Sequence, residues 1–462
     1  MPEQISKMDL KPYPEYKDSN LLWLGKIPKH WELRKMKYLF TERKQKGYPD
    51  EPLLAATQTK GVIPKELYEN RTTTAMKDLH LLKLVKKGDY VISLRSFQGG
   101  IEFAHYQGII SPAYTVLEPR SDANKGYYRS LFKSKLFIDQ LTIFITGIRE
   151  GQNIDYGRLS RSFISFPPQQ EQQLIGNFLN TFEFRFNRFL HAKNRVIDLL
   201  NERKLEIISH AVTRGIDPNV PFRPSEIDWI GNIPEHWQIQ KLKYVTKMIV
   251  GGSTPSTTDL SCWNGDIVWI TPEDVSKSEL LSTSSRKITQ NGVRNCSTVI
   301  VPKGSIIITS RAPVGNVAVG NIDLCTNQGC KSIIPDLLKF DTTYGYFLLK
   351  IMQPELQSMS KGTTFYEIST FLLANVKIPL PPLKEQQIIV ESLKKELKVV
   401  ENSINRTVHE IDLIREYRTR LISDIITGKI DVRTVKIERN IEDHFDTFEN
   451  TVLLDPDVPN DD

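Results

Sequence analysis

The sequence lacks long apolar segments, and this absence restricts where the protein acts. No apolar run approaches the roughly 18 residues that a membrane span requires. The amino-terminal residues are polar and contain no apolar signal core, so we expect a cytoplasmic protein rather than a secreted or membrane protein. Of the 462 residues, 39% are hydrophobic and 25% are charged, which is typical of a globular chain with two to four domains.

Cysteine is also scarce, with four residues that all lie in the second half of the chain: Cys262, Cys296, Cys325 and Cys330. A disulfide framework is not expected in a chain of this size without a secretory signal. Cys325 and Cys330 suggest a metal site, but no second cysteine or histidine pair completes a tetrahedral set of ligands. We therefore expect buried, reduced thiols and no bound metal.

Motifs that carry catalysis are missing. We find no Asn/Asp-Pro-Pro-Tyr/Phe motif, with which an amino-methyltransferase would hold a flipped adenine. There is neither a glycine-rich cofactor loop nor a Walker A sequence, and the eight histidines form no pair with metal-ligand spacing. We therefore predict that the chain is not an enzyme and binds no cofactor itself.

Acidic residues are unevenly distributed and are enriched at the end of the chain. Residues 436–462 contain nine acidic and two basic residues, whereas the whole chain has a net charge of +6. The remainder is therefore moderately basic, which permits a polyanionic partner such as DNA but does not require one. The composition of the acidic tail, residues 432–462, is compatible with disorder.

The chain contains a tandem repeat. Residues 23–31 (WLGKIPKHW) return as residues 229–237 (WIGNIPEHW), and residues 166–173 (FPPQQEQQ) return as residues 380–387 (LPPLKEQQ). Between these edges the two copies differ. Similar edges around dissimilar interiors indicate one architecture with two specificities; an old duplication that drifted is the alternative.

Each copy ends in a heptad pattern that predicts a long helix after a Pro-Pro pair. Gly215 and Gly428 lie near the two helix ends, where glycine suits a left-handed cap. The second stripe consists of Leu397, Val400, Ile404, Ile411, Ile414, Leu421 and Ile425. The first stripe consists of Phe186, Leu190, Ile197, Leu200, Ile207 and Ala211. We predict an intramolecular coiled coil; two amphipathic helices on separate cores are the alternative.

Polar residues interrupt both stripes at the same register positions. They are Lys193 and Lys204 in the first copy and Thr407 and Arg418 in the second. Such residues either fix the register of a helix pair or contact a partner protein. The sequence leaves both roles open, and we take these four as candidate partner-binding residues.

The divergent interiors contain short β-rich runs, and in each copy a predicted strand leads into an arginine loop. Arg95 follows the strand predicted at residues 90–94, and Arg311 follows the strand predicted at residues 305–309. Strand alternation predicts that each arginine shares a face with the residue two positions earlier. Arginine binds guanine or phosphate through paired contacts, and Gln and Asn suit adenine, although a structural ion pair is the alternative. The candidate DNA-binding residues of these loops are Ser93, Arg95, Ser96, Gln98, Thr309, Arg311 and Asn316.

Two further polar loops precede the long helices at matching places in the repeat. Residues 146–153 form the first and residues 361–364 the second. Solvated loops without a function are the alternative for each. Their candidate DNA-binding residues are Arg149, Gln152, Asn153, Lys361, Thr363 and Thr364.

The ordered double set of motifs resembles the specificity subunits of Type I restriction–modification systems. In that family a Trp-(Ile/Leu)-Gly-x-Ile-Pro-x-His-Trp segment opens a variable domain, and Pro-Pro-x-x-Glu-Gln-Gln opens a long helix. Residues 110–116 and 326–329 also look like elements of its variable domains. The resemblance covers residues 19–431, and the acidic tail has no counterpart in it.

The resemblance implies an α+β fold with two tandem, β-rich target-recognition domains. These domains would be separated by two long helices that form an intramolecular antiparallel coiled coil. The implied segments are an amino-terminal extension, a first recognition domain, a first helix, a second recognition domain, a second helix and the acidic tail. Their bounds are residues 1–18, 19–168, 169–215, 216–382, 383–431 and 432–462.

The resemblance also implies the function and the partners. Each recognition domain would read one half of an asymmetric, bipartite site in double-stranded DNA, while the helices dock two methyltransferase subunits and, through the complex, restriction subunits. S-adenosylmethionine, Mg²⁺ and ATP would be used by those partners and not by this chain. A specificity subunit for a modification-only methyltransferase and a protein-binding coiled-coil scaffold are the alternatives.

Overall fold

A computed structural model describes residues 10–68, 78–147, 153–360 and 367–435. The chain divides into two compact units. The first unit comprises Met1–Asn194 and His409–Asp462, and the second comprises Arg195–Val408. Each unit therefore takes roughly half of each long helix, whereas the sequence assigned each helix to a segment of its own. Among the described residues, no helix is both long and apolar enough to cross a membrane.

The first unit contains fourteen described strands and four short helices, and the first long helix begins in it. The strands are β1 (Tyr16–Asp18), β2 (Lys26–Pro28), β3 (Glu32–Lys35), β4 (Phe40–Arg43), β5 (Leu54–Thr57), β6 (Gly61–Pro64), β7 (Lys83–Val85), β8 (Tyr90–Ile92), β9 (Glu102–Phe103), β10 (Gly108–Ile110), β11 (Thr115–Pro119), β12 (Ile145–Thr146), β13 (Asn153–Ile154) and β14 (Phe163–Phe166). The helices are α1 (Ser96–Gly99), α2 (Lys125–Phe132), α3 (Lys135–Leu141), α4 (Tyr156–Leu159) and the long α5 (Gln169–Arg214).

The second unit contains twelve described strands and five short helices. The strands are β15 (Phe222–Pro224), β16 (Asn232–Pro234), β17 (Gln238–Lys241), β18 (Thr246–Gly251), β19 (Trp263–Ile270), β20 (Leu280–Leu281), β21 (Arg286–Ile288), β22 (Ile306–Thr309), β23 (Val317–Gly320), β24 (Cys325–Thr326), β25 (Cys330–Pro335) and β26 (Lys377–Leu380). The helices are α6 (Pro272–Lys277), α7 (Gln290–Arg294), α8 (Thr342–Ile351), α9 (Gln353–Met359) and α10 (Thr370–Asn375), followed by the long α11 (Leu383–Ile426).

The two units share a four-stranded sheet order. In the first unit the order is β4-β11-β8-β9, and in the second it is β18-β25-β22-β23, with β20 added at the edge. All pairs among these four strands are antiparallel in both units. The central strands β8 and β22 are rich in β-branched residues and are buried along their whole length, because both faces of the sheet are covered. One framework therefore carries both divergent interiors.

Aromatic residues fill the core of the first unit. Phe40 lies in edge-to-face contact with Tyr90 and Tyr128, at centroid distances of 5.6 and 5.2 Å. Phe132 packs against Tyr90 at 5.1 Å with perpendicular ring planes. Such pairs stabilise a core beyond the area that they bury. They fix β4 and β8 against α2, and thereby position the loop that follows β8.

The two long helices pair in antiparallel orientation within each unit, as predicted. In the first unit Glu183 contacts Arg418 and Lys193 contacts Glu410, so the residue numbers rise on α5 as they fall on α11. In the second unit Lys204 contacts Glu401. Immediately after α5, a Cβ built at Gly215 would lie 3.6 Å from a carboxylate oxygen of Glu385. Numbers that rise on one helix as they fall on the other require antiparallel helices.

The ends of the long helices pack against matching helices in the two units. In the first unit the Tyr127 hydroxyl donates to the carbonyl of Ile426 at 3.3 Å, at the end of α11. In the second unit the Tyr344 hydroxyl donates to the carbonyl of Val212 at 3.1 Å, near the end of α5. The glycines that follow both helices, Gly215 and Gly428, have φ of 75° and 76°, which confirms the predicted left-handed caps.

Candidate nucleic-acid interface

The repeated Pro-x-His-Trp and Glu-Gln-Gln motifs bind one another. In the first unit the Trp31 indole Nε1 donates to Glu171 Oε1 at 2.8 Å, and the His30 ring Nε2 lies 2.8 Å from Glu171 Oε2. The Tyr13 hydroxyl donates to the same carboxylate. We call this arrangement the carboxylate lock, because one carboxylate joins the start of a long helix to the edge of the preceding domain.

The second unit repeats the carboxylate lock with fewer partners. The Trp237 indole Nε1 donates to Glu385 Oε1 at 3.0 Å, and the His236 ring Nε2 lies 2.8 Å from Glu385 Oε2. The Glu385 side chain is 27% exposed, compared with 5% for Glu171. The sequence shows that these His and Trp residues are repeated, but it did not identify the glutamate that binds both.

The glutamine after each lock glutamate is a second fixed contact. Gln172 accepts the backbone N–H of Asn124 at 2.9 Å and donates to the carbonyl of Pro167 at 2.9 Å. Gln386 accepts the backbone N–H of Asp341 at 2.8 Å and donates to the carbonyl of Pro381. Both side chains are fully buried with their polar atoms satisfied, so this part of the repeat is a structural joint.

The loop after β8 differs from its sequence prediction. β8 ends at Ile92, so strand alternation does not extend to Arg95, which instead precedes the short helix α1. Ser93 and Ser96 are buried, and the Ser96 hydroxyl accepts the backbone N–H of Ser93 at 2.8 Å. The predicted shared face of Ser93 and Arg95 is therefore wrong. The two serines close the turn from inside and are not available to contact DNA directly.

Arg95 and Gln98 are the exposed residues of this loop. Both side chains face solvent, and among the residues that the structure describes neither has a hydrogen-bond or ion-pair partner for its polar head. Arginine and glutamine are the side chains that form paired hydrogen bonds with guanine and adenine. The turn that carries them is closed by the buried hydrogen bond between Ser93 and Ser96. The loop therefore presents two solvent-exposed polar side chains from a fixed backbone.

The corresponding arginine in the second unit is bound to a carboxylate. Arg311 Nε donates to Glu367 Oε2 at 3.0 Å, and Lys331 Nζ lies 3.5 Å from Glu367 Oε1. Arg311 is 43% exposed, so this pair lies at the surface. The structural ion pair that the sequence left open is therefore formed here, and the charge of Arg311 is partly neutralised.

Thr309 and Asn316 support the second loop instead of projecting from it. Thr309 is buried, and its hydroxyl donates to the carbonyl of Pro313 while accepting the backbone N–H of Asn316. The Asn316 amide donates to the Ser276 hydroxyl and accepts from Gln353, each at 2.8 Å. The burial of Thr309 contradicts its predicted direct contact with DNA, whereas the contact predicted for the partly exposed Asn316 stays a prediction.

The later polar loops are described only in part. Asn153 lies in β13, where its side-chain oxygen accepts the backbone N–H of Ile154 at 2.8 Å. The other candidates in these loops lie outside the described residues: Arg149, Gln152, Lys361, Thr363 and Thr364.

The polar interruptions of the heptad stripes mainly pair across the helices. Lys193 donates to Glu410 at 2.6 Å, Lys204 to Glu401 at 2.7 Å, and Arg418 Nε to Glu183 at 2.9 Å. Thr407 is buried and donates to a carbonyl of its own helix. Of the two roles that the sequence left open, these contacts support the fixing of register.

Three of the four cysteines have the environment expected of buried thiols, whereas Cys296 is partly exposed. All four are free, and Cys262, Cys325 and Cys330 are buried. Burial raises the pKa of the Cys325 thiol to about 11 and that of Cys330 to about 12. Among the described residues, no group of three or more His, Cys, Asp or Glu side chains is placed to hold a metal ion.

Comparison with known proteins gives a consistent match. Residues 28–199 and 234–410 match the family model described as the Type I restriction modification DNA specificity domain. The chain is 28% identical over 449 residues to the putative type I restriction enzyme MjaX specificity subunit of Methanocaldococcus jannaschii, and the match covers 91% of this chain and 98% of that one.

Two other matches cover different shares of the molecule. The MjaIX specificity subunit of the same organism is 43% identical over 176 residues, which cover 37% of this chain and 40% of that one. A solved chain from work on complex assembly and conformational transition of the type I R-M system has a TM-score of 0.65 at 18% identity. That match covers 87% of this chain and 99% of the solved one, and it shows that the fold is shared.

Proposed function

Since the chain belongs to the Type I restriction-modification DNA specificity family, we propose that each of its units reads one half of an asymmetric, bipartite DNA sequence. The observation that supports this proposal is that the two units share one sheet order but differ in the loop that follows the central strand. The same four-strand order positions Arg95 as an exposed cation in the first unit and Arg311 as an ion-paired cation in the second. Two surfaces that differ on one framework fit two different half-sites.

The proposed role is recognition without catalysis. Arg95 and Gln98, the predicted DNA contacts that are exposed to solvent, are residue types that recognise bases and phosphates. Methyl transfer and cleavage would belong to partner subunits that use S-adenosylmethionine, Mg²⁺ and ATP. We propose that this chain binds none of these cofactors and acts in the cytoplasm with its partners.

We further propose that the paired helices dock two methyltransferase subunits, with restriction subunits joining the complex. The ion pairs between the helices satisfy the charges of Lys193, Lys204 and Arg418. Docking would therefore use the outer faces of the helices, which carry exposed apolar side chains. These are Val196, Leu199 and Leu205 on α5, and Val399, Val408, Leu413 and Tyr417 on α11.

Deletion of the gene in its source organism, followed by single-base mapping of N6-methyladenine, tests the proposal. We expect methylation to disappear at one bipartite, asymmetric motif and to return when the gene is restored. A methylome that stays unchanged, in a strain whose methyltransferase partners are active, would contradict the proposed function.

A further inference from the structure

The turn between β5 and β6 carries a mostly buried lysine, Lys60. Lys60 exposes only 7% of its surface, yet among the described residues its ammonium group has no hydrogen-bond or ion-pair partner. Lysine is rarely buried to this extent unless an anion accompanies it. The buried stem therefore holds the ammonium group in one place, where its Nζ still reaches solvent and is available to an external anion.

The turn is held rigidly. The Thr57 hydroxyl accepts the backbone N–H of Lys60 and donates to the carbonyl of Gly61, both at 2.9 Å. Gly61 has a φ of +72°, and a Cβ there would lie 2.7 Å from the carbonyl oxygen of Phe103 in β9. The turn thus fits tightly against the main sheet of the unit, and its tip does not need to be ordered by a ligand.

The tip of this turn contacts the Arg95 loop. A Cβ at Gly99 would lie 2.9 to 3.1 Å from the side-chain carbons Cγ, Cβ and Cδ of Gln58, so the Gln58 side chain lies directly over the backbone of α1. Lys133 binds both elements, because its Nζ donates to the carbonyls of Gln58 and Gly99 at 2.8 Å each. The same ammonium group donates to the buried Glu102 at 2.6 Å.

We propose that residues 57–61 and α1 form one composite DNA-contacting edge, in which Lys60 binds a phosphate and Gln58 joins Arg95 and Gln98 in reading bases. This inference rests on the proposed function and names the residues that carry it out in the first unit. Lys133 is a positioning residue, because its own donors are occupied by the two elements that it joins. Phosphate contacts position a protein on DNA, whereas paired amide contacts to base edges specify sequence.

Lys60→Met in the full complex with its methyltransferase partners tests the phosphate contact, since methionine preserves the apolar stem. We expect affinity for target and non-target DNA to fall together, and the slope of log affinity against log salt to decrease by about 0.9, the value for one phosphate contact. Lys135→Met is the matched control, because Lys135 lies in the same unit and its ammonium group is ion-paired with Asp139. A Lys60→Met slope equal to that of the control and the wild type would overturn the phosphate contact.

Gln58→Leu and Gly99→Ala test base reading, since the first removes the amide and the second displaces the Gln58 side chain from α1. We expect the methylated motif to lose discrimination at one or two positions of a single half-site, with the other half-site unchanged as an internal control. Lys133→Met should reduce base discrimination at the same positions of the methylated motif, and Lys133→Arg should restore part of it. Motifs identical to wild type in all of these variants would overturn the composite edge.

The failure of this inference is distinguishable from the failure of the proposed function. Wild-type complex that methylates no bipartite motif would defeat the proposed function itself. Wild-type complex that methylates one, together with Lys60 and Gln58 variants that behave like Lys135→Met, would defeat the composite edge alone. Thermal unfolding of each variant identifies loss of fold, and if Lys60→Met unfolds, the Gln58→Leu motif decides the question.

Discussion

The two arginine loops occupy the same place in the two units and present opposite surfaces. Each follows a buried central strand of a four-stranded sheet with the same order. Arg95 extends from its loop toward solvent, whereas Arg311 is bound to Glu367. The comparison shows that the framework determines where a loop lies, and that the loop's own residues and neighbours determine what the loop offers to DNA.

The carboxylate locks give the complementary comparison, because here the two units share the chemistry and differ in burial. Glu171 is almost fully buried and binds Trp31, His30 and Tyr13. Glu385 is more exposed and binds only the corresponding Trp237 and His236 among the described residues. The edges of the repeat are therefore similar because both locks need them, while the interiors are free to differ.

The largest effect should come from removing the lock in each unit. Glu171→Ala leaves buried donors without an acceptor, which we expect to destabilise the first unit by about 3 kcal/mol. Glu385→Ala should cost the second unit about 1 kcal/mol, because water replaces part of the lost interaction. Hydrogen exchange of peptides from each unit measures both losses in the full chain. Equal losses of stability in the two units would contradict the prediction that the more buried glutamate contributes more.

The next largest effect concerns DNA affinity, which should respond differently to substitution of the arginines in the two loops. Arg95→Ala should weaken specific binding by about 1–3 kcal/mol, as expected for an arginine that reads a base. Arg311→Ala should change affinity less, because the arginine is already paired. Glu367→Gln should strengthen non-specific binding at low salt by releasing Arg311 and Lys331. Fluorescence anisotropy with labelled duplexes at matched salt measures all three, and a larger loss for Arg311→Ala than for Arg95→Ala would contradict the comparison.

A smaller effect is expected from removing one interhelical ion pair in each unit. Lys193→Met and Lys204→Met should each destabilise the chain by about 0.5 kcal/mol, since both pairs are partly exposed and screened by solvent. Reversal of both charges in the second unit, Lys204→Glu with Glu401→Lys, should recover most of that loss. Urea denaturation measures the three variants. A loss of several kcal/mol from either single variant would show that these pairs do more than fix register.

The smallest effect concerns the thiols, which lie only in the second unit. With pKa values raised to about 11 and 12, Cys325 and Cys330 carry very little thiolate near pH 8 and should resist alkylation in the folded chain. Alkylation should become measurable as the pH rises toward 11, and immediately on unfolding. Mass spectrometry after iodoacetamide treatment measures the labelled fraction, and rapid labelling of both cysteines at pH 8 would contradict their burial.

The sequence predicted the architecture well, because the relevant signals are periodic or repeated. The heptad stripes, the Pro-Pro starts and the glycine caps correctly predicted two long helices, and the family resemblance implied that they are antiparallel. The site was predicted less well, since its chemistry depends on contacts between residues far apart in the chain. Neither the pairing of Arg311 with Glu367 nor the contact of Gln58 with Gly99 leaves a local pattern. Strand alternation also failed at Arg95, because β8 ends three residues earlier.

We propose that each unit reads its own half-site, and an exchange of one interior tests this proposal in a single experiment. Residues 40–165 would be replaced by the corresponding interior of a family member with a known target, and the methylome would be mapped with the same methyltransferase partners. We expect a new sequence in one half-site, taken from the donor, while the other half-site stays unchanged. A chimera that folds and assembles but changes both half-sites, or neither, would contradict it.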